Sequence, residues 1–135
     1  MKRLLPALLI VVLAGCTAQT NSSSVDRFKD PEQRAVAQKI EDLETAGRRG
    51  KAGDICAKIL SRSLVSQLDS AGTDCQTEME KAIADANDYA LEVRNVTING
   101  NEATAEVQQG TDGPTETMHF TREGGDWRAT ALSEG

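Results

Sequence analysis

The sequence predicts an α+β fold in which three N-terminal helices pack on a curved, four-stranded antiparallel sheet. Two observations lead to this prediction. Between about residues 30 and 86, apolar residues recur at every third or fourth position, as on one face of a helix, and from residue 89 onward they alternate with polar residues, as along a strand. The chain of 135 residues has no internal repeat and is long enough for one hydrophobic core.

The first element along the chain is a signal segment. Lys2 and Arg3 precede an apolar run over residues 4–13, which is shorter than the ~20 apolar residues that a membrane-spanning helix needs. Leu13-Ala14-Gly15-Cys16 ends this run with small residues and a cysteine. The motif resembles the lipobox of bacterial lipoproteins. The alternative is an ordinary secretory signal with a coincidental cysteine.

The lipobox resemblance implies where the protein is located. Residues 1–15 would be a lipoprotein signal peptide that is cleaved off, and Cys16 would receive a diacylglyceryl thioether and an N-terminal acyl group such as palmitate. One acyl chain binds a membrane only marginally, whereas two or more hold a protein stably. We therefore expect the mature protein to be lipid-anchored at the extracytoplasmic face of a bacterial membrane.

Residues 16–29 are predicted to be a flexible tether. Polar residues dominate from Thr20 to Ser24, and almost no apolar residue precedes Val25, so the segment cannot bury enough surface to offset its ordering entropy. A flexible chain of a dozen residues spans on the order of 20 Å. The remaining residues, 30–135, form the single predicted domain.

Three amphipathic helices are predicted in the first half of this domain. The first begins with Asp30 as N-cap and Pro31 in the first turn. The second begins at Asp54, and the third at Thr73, whose spacing to Gln76 fits a capping box. Their apolar stripes are, in order, Val36, Ile40 and Leu43; Cys56, Leu60, Leu64 and Leu68; and Cys75, Met79, Ala82, Ile83 and Ala86.

Four strands in a meander are predicted in the second half. The apolar alternation changes parity at Arg94-Asn95, which indicates a β-bulge. Asn99-Gly100 predicts a type I′ hairpin turn, since both of its central positions need positive φ. A loop over residues 110–113 and a turn at Gly124-Gly125 separate the remaining strands.

The two cysteines that remain after Cys16 are Cys56 and Cys75. Both lie on apolar helix stripes, and disulfides persist outside the cytoplasm. We predict that they bond, which is worth about 3 kcal/mol for a loop of this size in the chain-entropy model. The alternatives are two buried thiols, or a redox or metal role. No metal is predicted, because a structural zinc site needs four nitrogen or sulfur ligands.

Several of these segments together resemble the nuclear transport factor 2-like superfamily, and in particular its small secreted or lipid-anchored members from actinobacteria. The resemblance covers about residues 30–132 and implies a cone, in which helices pack into the concave face of a bent sheet. Members include isomerases, cyclases, dehydratases and binding modules, so the fold alone does not choose between catalysis and binding. The segments are Gly53-Asp54-Ile55-Cys56, Cys75, Asn99-Gly100-Asn101-Glu102-Ala103 and Arg122-Glu123-Gly124-Gly125-Asp126-Trp127-Arg128.

No catalytic residue is predicted. His119 is the only histidine, and its parity is opposite to that of Met118 and Phe120, which indicates a solvated strand position. Ketosteroid isomerase-like members of the superfamily use a pocket carboxylate, for which Asp88 and Glu116 are the candidates. Both lie at the end of an element, where charged side chains usually reach solvent.

A set of apolar side chains either lines a cavity inside the cone or fills it as plain core. With only 3% aromatic residues in the chain, we expect most of them to fill the core, and Trp127 to anchor the last strand. The set is Tyr89, Leu91, Val93, Val107, Met118, Phe120 and Trp127.

The formal charge of −6 makes a nucleic-acid interface a poor expectation. The one basic run, Arg48, Arg49 and Lys51, is interpreted as a solvated turn. The sequence therefore predicts a lipid-anchored envelope protein whose domain binds an envelope protein or a small apolar ligand, without catalysis and without a cofactor. The alternatives are an isomerase or lyase that uses a pocket carboxylate, and a purely structural surface domain.

Overall fold

The computed structural model describes residues 24–134, and it has the predicted order of a helical half followed by a four-stranded antiparallel sheet. The predicted signal peptide, Cys16 and residues 16–23 of the predicted tether lie outside the described residues. The helices are a 3-10 helix (Ser24–Arg27), α1 (Pro31–Arg48), α2 (Ala52–Asp54), a π-helix (Ile55–Ile59), α3 (Arg62–Ser70) and α4 (Cys75–Asp85). The strands, in sheet order, are β1 (Leu91–Asn99), β2 (Glu102–Gln109), β3 (Thr115–Glu123) and β4 (Asp126–Glu134).

The folded part begins before the predicted domain boundary at residue 30. Val25 in the 3-10 helix is buried, and its backbone N–H donates to Oε1 of Glu41 at 3.4 Å. The Arg27 guanidinium donates to the carbonyl of Val93 in β1. Val25 and the half-buried Phe28 both pack against the core, so this part of the predicted tether contacts the rest of the domain.

Helix α1 begins as predicted. Oδ1 of Asp30 accepts hydrogen bonds from the backbone N–H groups of Glu32 at 2.8 Å and Gln33 at 3.2 Å. Val36 and Ile40 on its apolar face are completely buried, and α1 packs across β1. This face continues toward the end of the helix through Leu43, which is only half-buried.

The predicted second helix is wrong, because the chain breaks into α2, the π-helix and α3. The break lies at Leu60 and Ser61, whose backbones are extended. Leu60 bridges to Ala129 in β4, and the Ser61 N–H donates to the Ala129 carbonyl at 2.8 Å. The Ser61 hydroxyl then accepts from the Leu64 N–H at 3.1 Å and caps α3. Pairing with the edge of the sheet thus overrides helix continuity, and the described residues contain four α-helices instead of three.

Helix α4 begins at Cys75, one residue later than the predicted capping box requires. Asp74 is its N-cap, and Oδ2 of Asp74 accepts from the Thr77 N–H at 3.1 Å. Cys75 forms the predicted disulfide with Cys56, with 6.2 Å between their Cα atoms. The disulfide links the start of α4 to the π-helix.

The sheet confirms the predicted bulge and shifts the predicted turn. The register between β1 and β2 changes between Val93 and Asn95. The central residues of the first hairpin are Gly100 and Asn101, not Asn99 and Gly100. Of these two central residues, only Gly100 has a positive φ, of 62°. The turn is therefore of type II′, which needs a positive φ at its first central position alone.

The core lies between α1, the π-helix and the inner face of the sheet. Trp127 is 3% exposed, and its indole N–H donates to Oε2 of Glu32 in α1 at 2.8 Å. The guanidinium of Arg122 covers the indole at 4.7 Å from the ring centroid and also contacts Glu32. In residues 24–134 no helix is both long and apolar enough to cross a membrane.

Candidate apolar binding site

Two adjoining cavities lie where the end of α1, helix α4 and one end of the sheet meet. The larger has a volume of about 220 Å³ and the smaller of about 140 Å³. Leu43, Leu91 and Leu132 line both of them, together with Gln109. We call the pair the mouth cavity. Its walls are mostly apolar, which is the usual composition of a small-molecule site.

Both edge strands of the sheet contribute to the mouth cavity. Leu91 begins β1 and Leu132 lies near the end of β4, and these strands are at opposite ends of the sheet order. Leu132 follows register shifts at His119 in the pairing of β3 with β4. Earlier in β4, buried and more exposed side chains alternate, and Ala129 is completely buried. The pairing of β3 with β4 is therefore irregular next to Leu132, the residue of β4 that lines the cavity.

Helix α4 forms the outer wall of the larger cavity. Met79 and Ile83, four residues apart, lie on one face of the helix and line the cavity. Tyr89 follows α4 and holds its end, since the Tyr89 hydroxyl donates to the Ile83 carbonyl at 2.7 Å. The Tyr89 ring packs on Gly47 of α1, where a Cβ atom would lie 3.3 Å from Cδ1 of the ring.

The carboxylates at the mouth cavity accept hydrogen bonds from the protein. Oε2 of Glu44 accepts from the Leu91 N–H at 2.9 Å, and Oε1 of Glu44 forms an ion pair with Arg48 at 2.7 Å. Oδ1 of Asp88 accepts from the Ala90 N–H at 2.9 Å. Oε2 of Glu116 accepts from the Gln109 amide at 3.1 Å. These bonds fix the carboxylates at the rim.

The structure divides the apolar residues singled out in the sequence. Tyr89 and Leu91 line the larger part of the mouth cavity, and Leu91, Val107 and Met118 line the smaller part. The remaining three, Val93, Phe120 and Trp127, are buried and line neither part.

Sequence reasoning did not identify several of the lining residues as part of a pocket, among them Leu43, Met79, Ile83 and Leu132. Leu43, Met79 and Ile83 carried a signal, because each belongs to an apolar helix stripe, but a stripe does not show which of its residues face a cavity. Leu132 carried none, since the register shifts that precede it have no sequence signature.

The candidate catalytic groups do not converge. Asp88 lines the larger part of the mouth cavity and Glu116 the smaller part, while His119 pairs with Ala131 and Thr104 in neighbouring strands. The Tyr89 hydroxyl donates to a backbone carbonyl and not into the cavity. Among the side chains of the described residues, no group of three or more His, Cys, Asp or Glu is placed to hold a metal ion.

A larger hollow of about 630 Å³ lies beside the π-helix and the start of α3. Two of its charged side chains, Glu123 and Arg128, bind other parts of the protein. The Glu123 carboxylate accepts from the Arg62 N–H at 3.0 Å, and the Arg128 guanidinium donates to the Ala57 carbonyl at 2.7 Å. These contacts join the turn between β3 and β4 to the helical half, so this hollow is a structural junction.

Comparison of the chain with protein-family models, with curated proteins and with solved structures finds no match. The resemblance to nuclear transport factor 2-like proteins therefore rests on the sequence segments given above.

Proposed function

We propose that this chain is a lipid-anchored, extracytoplasmic bacterial protein that binds a small apolar ligand, without catalysis, in the mouth cavity of a nuclear transport factor 2-like cone. The observation that carries the proposal is the apolar cavity between the end of α1, α4 and both edge strands. The lipobox-like segment that ends at Cys16 supports the anchor.

The exposure of the lining residues supports a binding role. Leu43, Leu91, Leu132, Met79 and Ile83 are all only half-buried, although each packs against the core. Apolar side chains that are grouped around an opening retain contact with water, and a ligand that displaces this water gains the free energy of burying them. A volume of about 220 Å³ is below the ~300–1,000 Å³ of drug-sized sites, so the ligand is small or inserts one end of a chain.

The position of the two edge strands supports the cone. Leu91 of β1 and Leu132 of β4 line the same cavity although they lie on opposite edge strands, as expected for a sheet that bends toward the helices. A cone with helices in its concave face has its open end at such a place.

The arrangement of polar groups favours binding over catalysis. An isomerase of the ketosteroid type needs a carboxylate base and a hydroxyl or acid donor that face one substrate atom. Here Asp88 and Glu116 lie at different parts of the cavity, and the Tyr89 hydroxyl is bonded to the Ile83 carbonyl. The mouth cavity offers apolar contact and rim acceptors instead.

The proposed function is tested by a substitution on α4 that places a larger side chain in the cavity. Ala82 is exposed and lines the larger part, so Ala82→Phe places a ring in the opening. Ala84→Phe is the matched control, because Ala84 is an exposed alanine of the same helix that does not line the cavity. The measurement is the fluorescence titration of each full-length protein, carrying Cys16→Ser to keep lipid and detergent out of the assay, with the neutral probe N-phenyl-1-naphthylamine.

We expect Ala82→Phe to weaken probe binding about tenfold, which corresponds to about 1.4 kcal/mol, and Ala84→Phe to change it less than twofold. Both variants should melt within a few degrees of each other. Equal affinities for the two variants, or no saturable binding by the parent protein, would overturn the proposed function.

A further inference from the structure

We infer that the ligand of the mouth cavity is a cationic amphiphile, which has an apolar body and a protonated amine at one end. This inference rests on the proposed function and specifies the chemical class of its ligand. The apolar cavity determines where the body binds, and the charges beside it determine which headgroup is accepted.

The mouth cavity adjoins a polar hollow on the side of the loop between β2 and β3. This hollow has a volume of about 460 Å³ and shares Ala86, Asp88 and Gln109 with the larger part of the mouth cavity. Asp85, at the end of α4, and Asp112, in the loop, also line it. A molecule whose body lies on the apolar walls therefore has its headgroup among three aspartates.

The loop that carries Asp112 is held in a fixed position. The Gly110 N–H donates to the Ala90 carbonyl at 2.8 Å, and the Gln109 N–H donates to the Pro114 carbonyl at 3.2 Å. At Gly113, a Cβ atom would lie 1.9 Å from the Gln109 carbonyl oxygen, so the loop requires glycine there. The aspartates thus form a defined rim beside the cavity.

The charges around this opening have one sign. Five carboxylates line the mouth cavity and the adjoining hollow, and none of the described residues that line them is Lys or Arg. Among these carboxylates, only Glu44 forms an ion pair within the described part of the chain, with Arg48. The five are Glu44, Asp85, Asp88, Asp112 and Glu116.

The other large cavity of the described residues does not show this excess of acidic side chains. The hollow beside the π-helix is lined by Arg62 and Arg128 as well as Glu123, so its charges are mixed. At the mouth cavity all the charged lining residues are acidic, which favours a cation over an anion. An ammonium group also supplies three N–H donors, which match carboxylate acceptors.

The test compares three ligands with the same chain and different headgroups. Near pH 7, decylamine is protonated, decanol is neutral and decanoate is ionised. Each is titrated against N-phenyl-1-naphthylamine bound to the full-length protein carrying Cys16→Ser. We expect decylamine to displace the probe at about a tenfold lower concentration than decanol, and decanoate to be the weakest. The advantage of decylamine should fall at high salt, because exposed carboxylates are screened.

The aspartates are tested with Asp88→Asn combined with Asp112→Asn. Asparagine keeps a side-chain oxygen for the Ala90 N–H, so the double variant preserves that bond and removes two charges. We expect it to reduce the advantage of decylamine over decanol to less than twofold and to leave decanol unchanged. Asp69→Asn, on the exposed surface of α3, is the control and should change neither.

The outcomes separate this inference from the proposed function. If decanol and the probe bind but decylamine has no advantage, or if the double variant keeps the advantage, the inference on the headgroup is overturned while the apolar site stands. If neither the probe nor decanol binds, the proposed function and the inference that rests on it both fail.

Discussion

Glu32 makes two contacts that join the first turn of α1 to the sheet. Its Oε2 atom accepts the indole N–H of Trp127 at 2.8 Å and pairs with the Arg122 guanidinium that covers the same ring. The indole is thus buried, covered by a cation and satisfied at its only polar atom. These contacts agree with the expectation that Trp127 is a core anchor of β4.

Trp127→Ala should cost about 3–5 kcal/mol of unfolding free energy, because it removes a buried aromatic side chain and leaves a cavity. In a domain of this size, that loss corresponds to a fall of roughly 10 °C or more in the melting temperature. Thermal melts followed by circular dichroism measure it.

Trp127→Phe is the companion variant, since it retains most of the buried ring and loses only the N–H donor. Its cost should be well below that of Trp127→Ala, because Glu32 is half-exposed and can bind water instead. A melting temperature for Trp127→Ala within a few degrees of the parent would contradict a core role for the ring.

Local chemistry made several residues predictable. The Asp30 cap, the bulge at Val93 and Asn95, and the turn at Gly124 and Gly125 all follow from preferences of the residues themselves. Glu32 fits the preference for an acidic residue in the first turn of a helix. Its bond to Trp127 joins residues 95 positions apart in the sequence, and no local pattern reports such a contact.

At the scale of elements, the prediction of one long second helix failed for a tertiary reason. Residues 54–68 have a convincing apolar stripe, yet Leu60 and Ser61 pair with β4 instead of continuing the helix. Ser61 lowers the free-energy cost of breaking the helix, because its hydroxyl caps the start of α3. Helical periodicity reports an apolar face but not competition from a strand edge.

Helix α4 is the element most dependent on a covalent link. Cys75 is its only fully buried residue, and its packing partners are α2, the π-helix and α3. An element with so few buried side chains opens more readily than the core.

Replacing both disulfide cysteines by serine should therefore cost about 2–5 kcal/mol and loosen α4 before the rest of the domain. Hydrogen exchange measured by mass spectrometry should show faster exchange in residues 75–85, with little change around Ile40 in α1. Addition of a reductant should reproduce this pattern in the parent protein and have no effect on the double variant. Unchanged protection of α4 would show that the disulfide does not hold it.

At the scale of the whole molecule, the hydrophobic periodicity predicted the α+β fold class but not the position of the cavity. A single α+β unit was predictable from the change of period near residue 89. The mouth cavity was not, because it depends on how the end of α1 and helix α4 pack against one end of the sheet. The seven apolar residues chosen from the sequence were divided between core and cavity by this geometry alone.

The lipobox-like motif carries its own prediction. Cys16→Ser should release the protein from the membrane fraction or leave the signal segment uncleaved, because no thioether can form on a serine. Fractionation of cells together with metabolic labelling by a fatty acid measures both effects. Cys56→Ser, which leaves the motif intact, is the control and should stay in the membrane fraction. Persistent lipid labelling of Cys16→Ser would refute the anchor.

Other parts of the chain form hydrogen bonds with both edge strands of the sheet. Beside β1, the Arg27 guanidinium and the Gln33 amide donate to the carbonyls of Val93 and Val96, and Glu44 accepts from the N–H of Leu91. Beside β4, Leu60 forms one bridge to Ala129, and the Ser61 N–H donates to the Ala129 carbonyl.

These contacts matter for a protein confined to a surface. Lipid anchoring as proposed here concentrates molecules in two dimensions, and unpaired strand edges would then recruit one another into extended aggregates. Side chains bond to three backbone groups of β1, and a backbone segment bridges to Ala129 of β4, so a neighbouring copy has a shorter length of free edge to join.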